Sequence, residues 1–475
     1  MPRTFHIRTF GCQMNEHDSE RIAALLTADG LEPVDDVSQA DVVVLNTCCV
    51  RQNADDRLYG HLGALKALAE ERPGMQIAVG GCLAQKDREI VRERASHVDV
   101  VFGTHNLARA PALLREAAKS GPVVEVVDAP IPRGDPAEVR GLEAVRESSC
   151  SAWVTIQTGC DNSCAFCIVP QVRGREVSRP FDELVAEVEA LASRGVSEIT
   201  LLGQNVNSYG RDVTRRRPLF AELLRALGAV AGIKRVRFTS PHPKDLRPET
   251  IAAMAETEAV CEHLHLPLQS GSDRTLVAMR RGYTAERYLS RLGAARAAVD
   301  DLAVTTDLIV GFPGETDDDF ERTLEVVAEA EYDSAYTFVF SPRPGTRAAS
   351  MKELFVPGDV VAERFERLRV VVERSALAHH AARVGKIEEV LVEGPSKRDA
   401  SMLSARTRQN KLVHFSPHVA VARVSGPASA GSYATVRITD AAPHHLRGEL
   451  LGATEPRSFS KGPRRYRRLL AVSAG

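Results

Sequence analysis

Residues 158–170 read TGCDNSCAFCIVP, a loop that begins as the short apolar run 152–157 ends. Its cysteines, Cys160, Cys164 and Cys167, form a C-x3-C-x2-C array. A tetrahedral zinc site needs a fourth Cys or His, and the following residues, IVPQVRGREVSR, offer none. Three neighbouring thiolates suit a [4Fe–4S] cubane instead, held through three irons with the fourth open to an outside ligand. A zinc knuckle completed by a distant ligand is the competing reading.

Downstream of this loop, short strand-like runs alternate with amphipathic stretches, as in a (βα) barrel. The first helix has Asp182 as its expected N-cap, an apolar face of Leu184, Val185, Val188 and Leu191, and Gly195 beyond its end. Strands are expected at 152–157, 198–202, 236–239, 263–266, 303–310 and 334–340, an incomplete six-stranded barrel. Catalytic residues in such barrels gather where the strands end. Gln204, Asn205, His265, Gln269, Ser270 and Glu315 all fall there, and Gln204 and Asn205 are the first candidates for cofactor contact. In DLIVGFPGET, Gly311 and Gly314 allow close approach of a ligand, although a tight turn before a helix cap would use the same glycines. Arg173, Arg175 and Arg179 follow the cysteine loop, and Arg211, Arg215, Arg216 and Arg217 follow a strand end. Both sets are candidates for RNA phosphates, foremost Arg173 and Arg175.

Upstream, apolar runs at 5–10, 42–46, 77–79 and 98–102 alternate with helical stretches at 18–29 and 57–71, the pattern of a parallel α/β sheet. Cys12, Cys48 and Cys82 each follow one of these runs. Parallel strands bring their C-terminal ends to one edge, so three thiols spread along the chain converge there. Cys49 competes with Cys48, and Cys48 is preferred because it stands first after its strand, as Cys82 does. Gly11, Gly80 and Gly81 would let a bulky cofactor approach. The alternative is that these cysteines are small buried hydrophobes, the reading adopted for Cys150 and Cys261.

The expected organisation is an α/β domain over 1–120, a Pro- and Gly-rich linker over 121–149, a barrel core over 150–378, a small β-barrel over 379–453 and a basic tail over 454–475. The β-barrel rests on runs at 388–393, 412–415, 419–424 and 434–438. Across 475 residues, 61 basic side chains face 63 acidic ones, a net charge of −2, so RNA binding would have to come from local patches. Nine cysteines at this low density argue against a disulfide framework and for reduced thiols in the cytoplasm. The sequence holds no apolar stretch approaching the roughly 20 residues of a membrane span.

Beyond the cysteine loop, the blocks TFGCQMNEHDSE, LNTCCVR, GGCLAQ, LLGQNVNSYG, HLPLQSGSD, MRRGYT, DLIVGFPGET and FSPRPGT together resemble the methylthiotransferase family of radical S-adenosylmethionine (SAM) enzymes. The C-terminal blocks GKIEEVLVEG and ARTRQNKLVHF resemble the RNA-binding TRAM domain, with Ala405 where relatives often carry Gly. The resemblance implies a cluster at Cys160, Cys164 and Cys167 that cleaves SAM to a 5′-deoxyadenosyl radical, and a second [4Fe–4S] cluster at Cys12, Cys48 and Cys82 that carries sulfur. It implies a tRNA substrate whose adenosine beside the anticodon bears a dimethylallyl group. A reduced flavodoxin- or ferredoxin-type electron donor, a monomeric enzyme and RNA contacts at Arg406, Arg408, Asn410 and Lys411 belong to the same expectation. Within the family, threonylcarbamoyladenosine of tRNA and an aspartate of a ribosomal protein are alternative substrates. A noncatalytic RNA-binding protein stapled by iron–sulfur clusters is the alternative from another class. The Gly-Gly-Glu-Pro stretch common in the superfamily is absent after the second barrel strand, where GVSEITLLGQNVN stands, so the SAM amino group has no assigned ligand.

Overall fold

The computed structural model describes residues 3–49, 52–128, 150–418 and 428–454. Its N-terminal sheet consists of β1 (Thr4–Thr9), β2 (Glu32–Pro33), β3 (Val42–Thr47), β4 (Gln76–Gly81), β5 (Val100–Phe102) and β6 (Val123–Glu125). All pair in parallel, in the order β2-β1-β3-β4-β5-β6. The run VVVLNT of β3 is buried throughout, as a strand covered on both faces must be. Val42 and Val44 pack with Ile22 of α1 (Gln13–Ala28) on one face. Val43 and Leu45 pack with Leu58 and Leu62 of α2 (Gln52–Glu71) and Leu83 of α3 (Cys82–Asp87) on the other. The chain runs from β1 outward to β2, then crosses back to β3. The crevice between the ends of β1 and β3 is therefore the topological switch point, where ligands of open parallel sheets bind. Strand β6 lies inside the expected linker, and Gln85 donates to the carbonyl of Val127, so this domain extends beyond residue 120. The remainder of that linker and the basic tail from 455 lie outside the described residues.

The core contains β7 (Ser151–Thr155), a short antiparallel pair β8 (Gln157–Thr158) and β9 (Val177–Ser178), and then β10 (Glu198–Leu202), β11 (Arg235–Phe238), β12 (His263–His265), β13 (Ala303–Val310) and β14 (Ser334–Val339). Strands β11-β10-β7 and β12-β13-β14 form two parallel sheets joined through a bridge between Val236 and Val260, an open six-stranded barrel. Its first helix, Phe181–Ser193, is capped by Pro180, and Asp182 sits inside the first turn, where a carboxylate favours the helix dipole. The expected N-cap is thus displaced by proline, whose fixed φ starts the helix two residues earlier.

The C-terminal domain is a closed barrel of β15 (Ile387–Pro395), β16 (Leu403–Thr407), β17 (Leu412–Phe415), β18 (Tyr433–Ala442) and β19 (His445–Thr454). Strands β16 and β19 were not anticipated, and the expected run 419–424 lies outside the described residues. This barrel docks on the N-terminal ends of the core strands. Arg235 and Arg237 at the start of β11 donate to the carbonyls of Arg406, Thr407 and Arg408 at 2.8–2.9 Å. The opposite end of the core is left to the cysteine loop.

Candidate functional site: two thiol centres joined by an arginine

Helices α4 (Ile90–Arg94) and α5 (Ala110–Ser120) belong to the N-terminal domain; in the core, the segment 160–174 between β8 and β9 carries the contiguous cysteines and ends in α6 (Val169–Arg173). The loop is closed by the Cys160 amide donating to the Gly174 carbonyl at 3.1 Å. Only glycine fits at Gly159: its φ is +77°, and a Cβ there would lie 1.9 Å from the Arg175 carbonyl oxygen. The Ala165 amide donates to Met279, and the Cys167 amide to Cys164. The three thiols are half-buried and close enough to repel one another's charge. Burial pushes Cys160 up to about 11 and Cys167 up to about 12. Such thiols bind as thiolates only when a cation meets them. Arg281 supplies a resident positive charge: buried, it donates to Cys164 Sγ at 3.3 Å, to Tyr283 Oη at 3.1 Å and to the Pro267 carbonyl at 3.4 Å.

The second centre lies at the switch point of the N-terminal sheet. Cys12 follows β1, Cys48 and Cys49 follow β3, and Cys82 follows β4. A Cβ at Gly11 would come within 2.8 Å of Cys48 Sγ, so the turn carrying Cys12 presses against that thiol. Asn15 Oδ1 faces both Cys12 Sγ and Cys82 Sγ, at 3.8 and 4.0 Å. Cys49 also belongs to this group: its thiol donates to Cys82, which raises Cys49 and holds Cys82 down at about 6, an effect Arg173 reinforces. Burial raises Cys12, with Arg173 opposing it. Among the described residues, no three His, Cys, Asp or Glu side chains close on a single point as ligands of one metal ion do. The donor sets are all thiol, three in the core loop and four at the N-terminal edge with Cys49 counted, the soft sulfur donors that an iron–sulfur cluster takes.

Several expected contacts have other roles. Arg173 is no surface residue: its side chain is 7% exposed and pairs with Asp18 at 2.8 Å and Asn15 at 3.2 Å, inside the N-terminal centre. Arg408 is buried against Glu262 at 2.7 Å, and Lys411 against Asp333, both fastening the β-barrel to the core. Arg406 pairs with Glu393 at the rim, and Asn410 takes a left-handed turn at φ +61°. Arg175 remains open, its side chain 90% exposed beside Asp161. The closeness allowed by Gly311 is taken by Val361, and the Gly314 amide donates to Leu354, so this turn packs against its own chain before the capping box of Thr316 and Asp319. Gly80 accommodates the Phe102 ring in the same way. Glu315 is buried in an ion pair with Arg364 at 2.8 Å.

At the end of β10, Gln204 Oε1 and Asn205 Oδ1 are buried acceptors without a hydrogen-bond partner among the described residues, and so is the nearby Gln157 Oε1. Asn205 Nδ2 donates to Asp245 at 2.9 Å, and Gln157 Nε2 to the Asn205 carbonyl at 2.8 Å, which fixes the amides in place. Buried orphans of this kind mark where a ligand's donors can sit. Gln157 and Arg281 were missed in the sequence: nothing in their spacing tells them from ordinary strand-end and loop residues.

Residues 154–327 match the radical SAM superfamily, 4–103 an uncharacterized protein family, UPF0004, and 381–451 the TRAM domain. The fold resembles that of a radical S-adenosylmethionine methyltransferase, TsrM, from Kitasatospora setae, with a TM-score of 0.54 at 14% identity, over 74% of this chain and 77% of that one. Fold and cysteine loop thus define a radical SAM enzyme, which uses SAM and a [4Fe–4S] cluster. At the level of sequence the likeness is far stronger. A tRNA-2-methylthio-N(6)-dimethylallyladenosine synthase of Mycobacterium marinum is 51% identical over 94% of this chain and 85% of its own length. The synthase of Acidothermus cellulolyticus is 51% identical over 96% and 90%. The chain belongs to this family of radical SAM methylthiotransferases. Among the described residues no helix is long and apolar enough to cross a membrane.

Proposed function

We propose that the protein converts N6-dimethylallyladenosine beside the anticodon of tRNA into its 2-methylthio derivative. The observation that carries this reading is two three-thiol centres in one chain, each at the C-terminal edge of a parallel sheet, in a protein half identical to synthases of that name. The product requires a carbon–sulfur bond at an aromatic C–H, a carbon that acid–base and nucleophilic catalysis do not activate. A [4Fe–4S] cluster on Cys160, Cys164 and Cys167, with bound SAM, supplies radical chemistry there, and a second cluster on Cys12, Cys48 and Cys82 carries the sulfur.

Cys48 rather than Cys49 is the second ligand of that set, because it stands against the turn that carries Cys12. Gln204 and Asn205 turn their unpaired acceptors to donors of SAM, aided by Gln157. Arg281 fixes the Cys164 sulfur in place by a direct hydrogen bond. At the rim, Arg175 and Arg406 meet RNA phosphates and set register rather than sequence. The enzyme acts as a cytoplasmic monomer and draws electrons from a reduced flavodoxin- or ferredoxin-type donor.

The test is mass spectrometry of nucleosides from the tRNA of a host lacking its own enzyme, with and without this chain expressed under low oxygen. Appearance of the 2-methylthio nucleoside with loss of its dimethylallyl precursor is the expected result. An untouched precursor beside a methylthiolated threonylcarbamoyl nucleoside or ribosomal aspartate would overturn the substrate.

A further inference from the structure

The helix α6 leaves the cysteine loop of the core, and its last residue reaches the other centre. Ile168 and Val172 pack into the hydrophobic core of the N-terminal domain, alongside Cys49 and Cys82. Thr104 Oγ1 donates to the Val172 carbonyl at 2.6 Å. The segment from Cys160 to Gly174 is closed on itself by the Cys160–Gly174 hydrogen bond, so it forms a short rigid strap between the two centres. At its end, the Arg173 guanidinium lies among Cys12, Cys82, Asn15 and Asp18, shut off from solvent. An arginine latching two domains needs only the carboxylate. Here the cation also faces two thiols.

We infer that Arg173 is a positioning residue of the N-terminal centre, and that its charge, tempered by Asp18, sets the reduction potential of the cluster held there. The inference rests on the reading that Cys12, Cys48 and Cys82 hold a [4Fe–4S] cluster. A cubane on three thiolates gains negative charge on reduction, so a neighbouring guanidinium and its hydrogen bonds to ligand sulfur favour the reduced state. Asp18, buried 2.8 Å from Arg173, offsets part of that charge. Because the cation comes from the core, the N-terminal cluster acquires its working potential only when the two domains are docked.

The experiment uses the full chain with Cys160, Cys164 and Cys167 replaced by alanine, reconstituted anaerobically so that one cluster remains to be titrated. Midpoint potentials are read by electron paramagnetic resonance during a redox titration, with iron and sulfide counted on the same samples. The expected result is a lower potential for Arg173→Gln, a partial return toward the parent value for Arg173→Lys, and a higher potential for Asp18→Asn. Equal potentials in the parent and Arg173→Gln, at equal iron content, would overturn the inference. If Arg173→Gln does not fold, Asp18→Asn decides alone: a potential equal to or below the parent's overturns it. A parent chain that takes up no iron overturns instead the assignment of a second cluster, which separates the two failures.

Discussion

The two thiol centres are built in opposite ways. The core centre draws Cys160, Cys164 and Cys167 from one loop of eight consecutive residues, held by backbone hydrogen bonds to Gly174 and Met279. The N-terminal centre draws Cys12, Cys48 and Cys82 from three strand ends, and its geometry is that of the sheet itself. Each has one buried arginine from outside its own cysteine segment, but their charges are handled differently. Arg173 meets the carboxylate of Asp18, whereas Arg281 meets a thiol, a carbonyl and a phenol. At the core centre a carboxylate also bears on the thiols, that of Glu176 on Cys160. A local loop can lose a ligand without disturbing a fold, and a strand-end centre is tied to the packing of its domain.

The largest effect separates the centres by function. Cys164→Ala is expected to abolish SAM cleavage and methylthiolation together, while about four irons per chain, one cubane, remain. Retained methylthiolation by that variant, measured on tRNA nucleosides, would remove the radical assignment from this loop. Cys82→Ala should do the reverse, leaving reductive SAM cleavage in place while methylthio product disappears. Within the same centre, Cys48→Ala should lose the N-terminal iron and Cys49→Ala should keep it. Iron analysis giving the opposite pair would pass the ligand role to Cys49, whose thiol touches Cys82.

How much of this was legible in the sequence follows from the same contrast. The contiguous loop could be read directly, because ligand spacing and loop coincide. The strand-end cysteines could be read once the βα alternation was recognised, since parallel strands point one way; the switch point between β1 and β3 needed the strand order. Six core strands fell within a residue or two of expectation, as periodicity allows. Which of the basic side chains are buried could not be read, because a basic side chain in sequence looks alike whether it faces solvent, as Arg175 does, or a buried carboxylate. Arg173, Arg408 and Lys411 each find their partner at least 78 residues away, a pairing only tertiary structure reveals. Gly311 and Gly80 show the same limit: a glycine signals close approach but not whether ligand or chain fills the space.

A smaller effect tests the corrected role of the β-barrel contacts. Arg408 donates to Glu262 and to the carbonyls of Glu258 and Val260 at 2.9–3.0 Å, at the end of the core opposite the cysteine loop. Arg408→Ala leaves Glu262 facing a buried gap, a loss of about 3–5 kcal/mol for a broken buried pair. It should appear as a lower denaturation midpoint, with the salt dependence of tRNA binding unchanged in the protein that remains folded. A lower salt slope without loss of stability would return Arg408 to the RNA surface.

The smallest expected effect belongs to Arg175, two residues beyond Arg173 and its opposite in every respect that matters for charge. Its side chain projects into solvent, and its contact with Asp161, at 3.5 Å, is the kind of exposed ion pair that adds little to stability. Arg175→Ala should therefore change stability by less than about 0.5 kcal/mol. If the residue meets an RNA phosphate, the slope of log affinity against log salt falls by about one, uniformly across tRNA sequences. An unchanged slope would mean that this rim of the core does not carry the RNA, and that Arg406 and the β-barrel must supply the register by themselves. The side chains at 173 and 175 leave one short turn in opposite directions, one into a thiol centre and one into water. The pair of substitutions thus asks, within three residues, which positive charge serves the clusters and which serves the substrate.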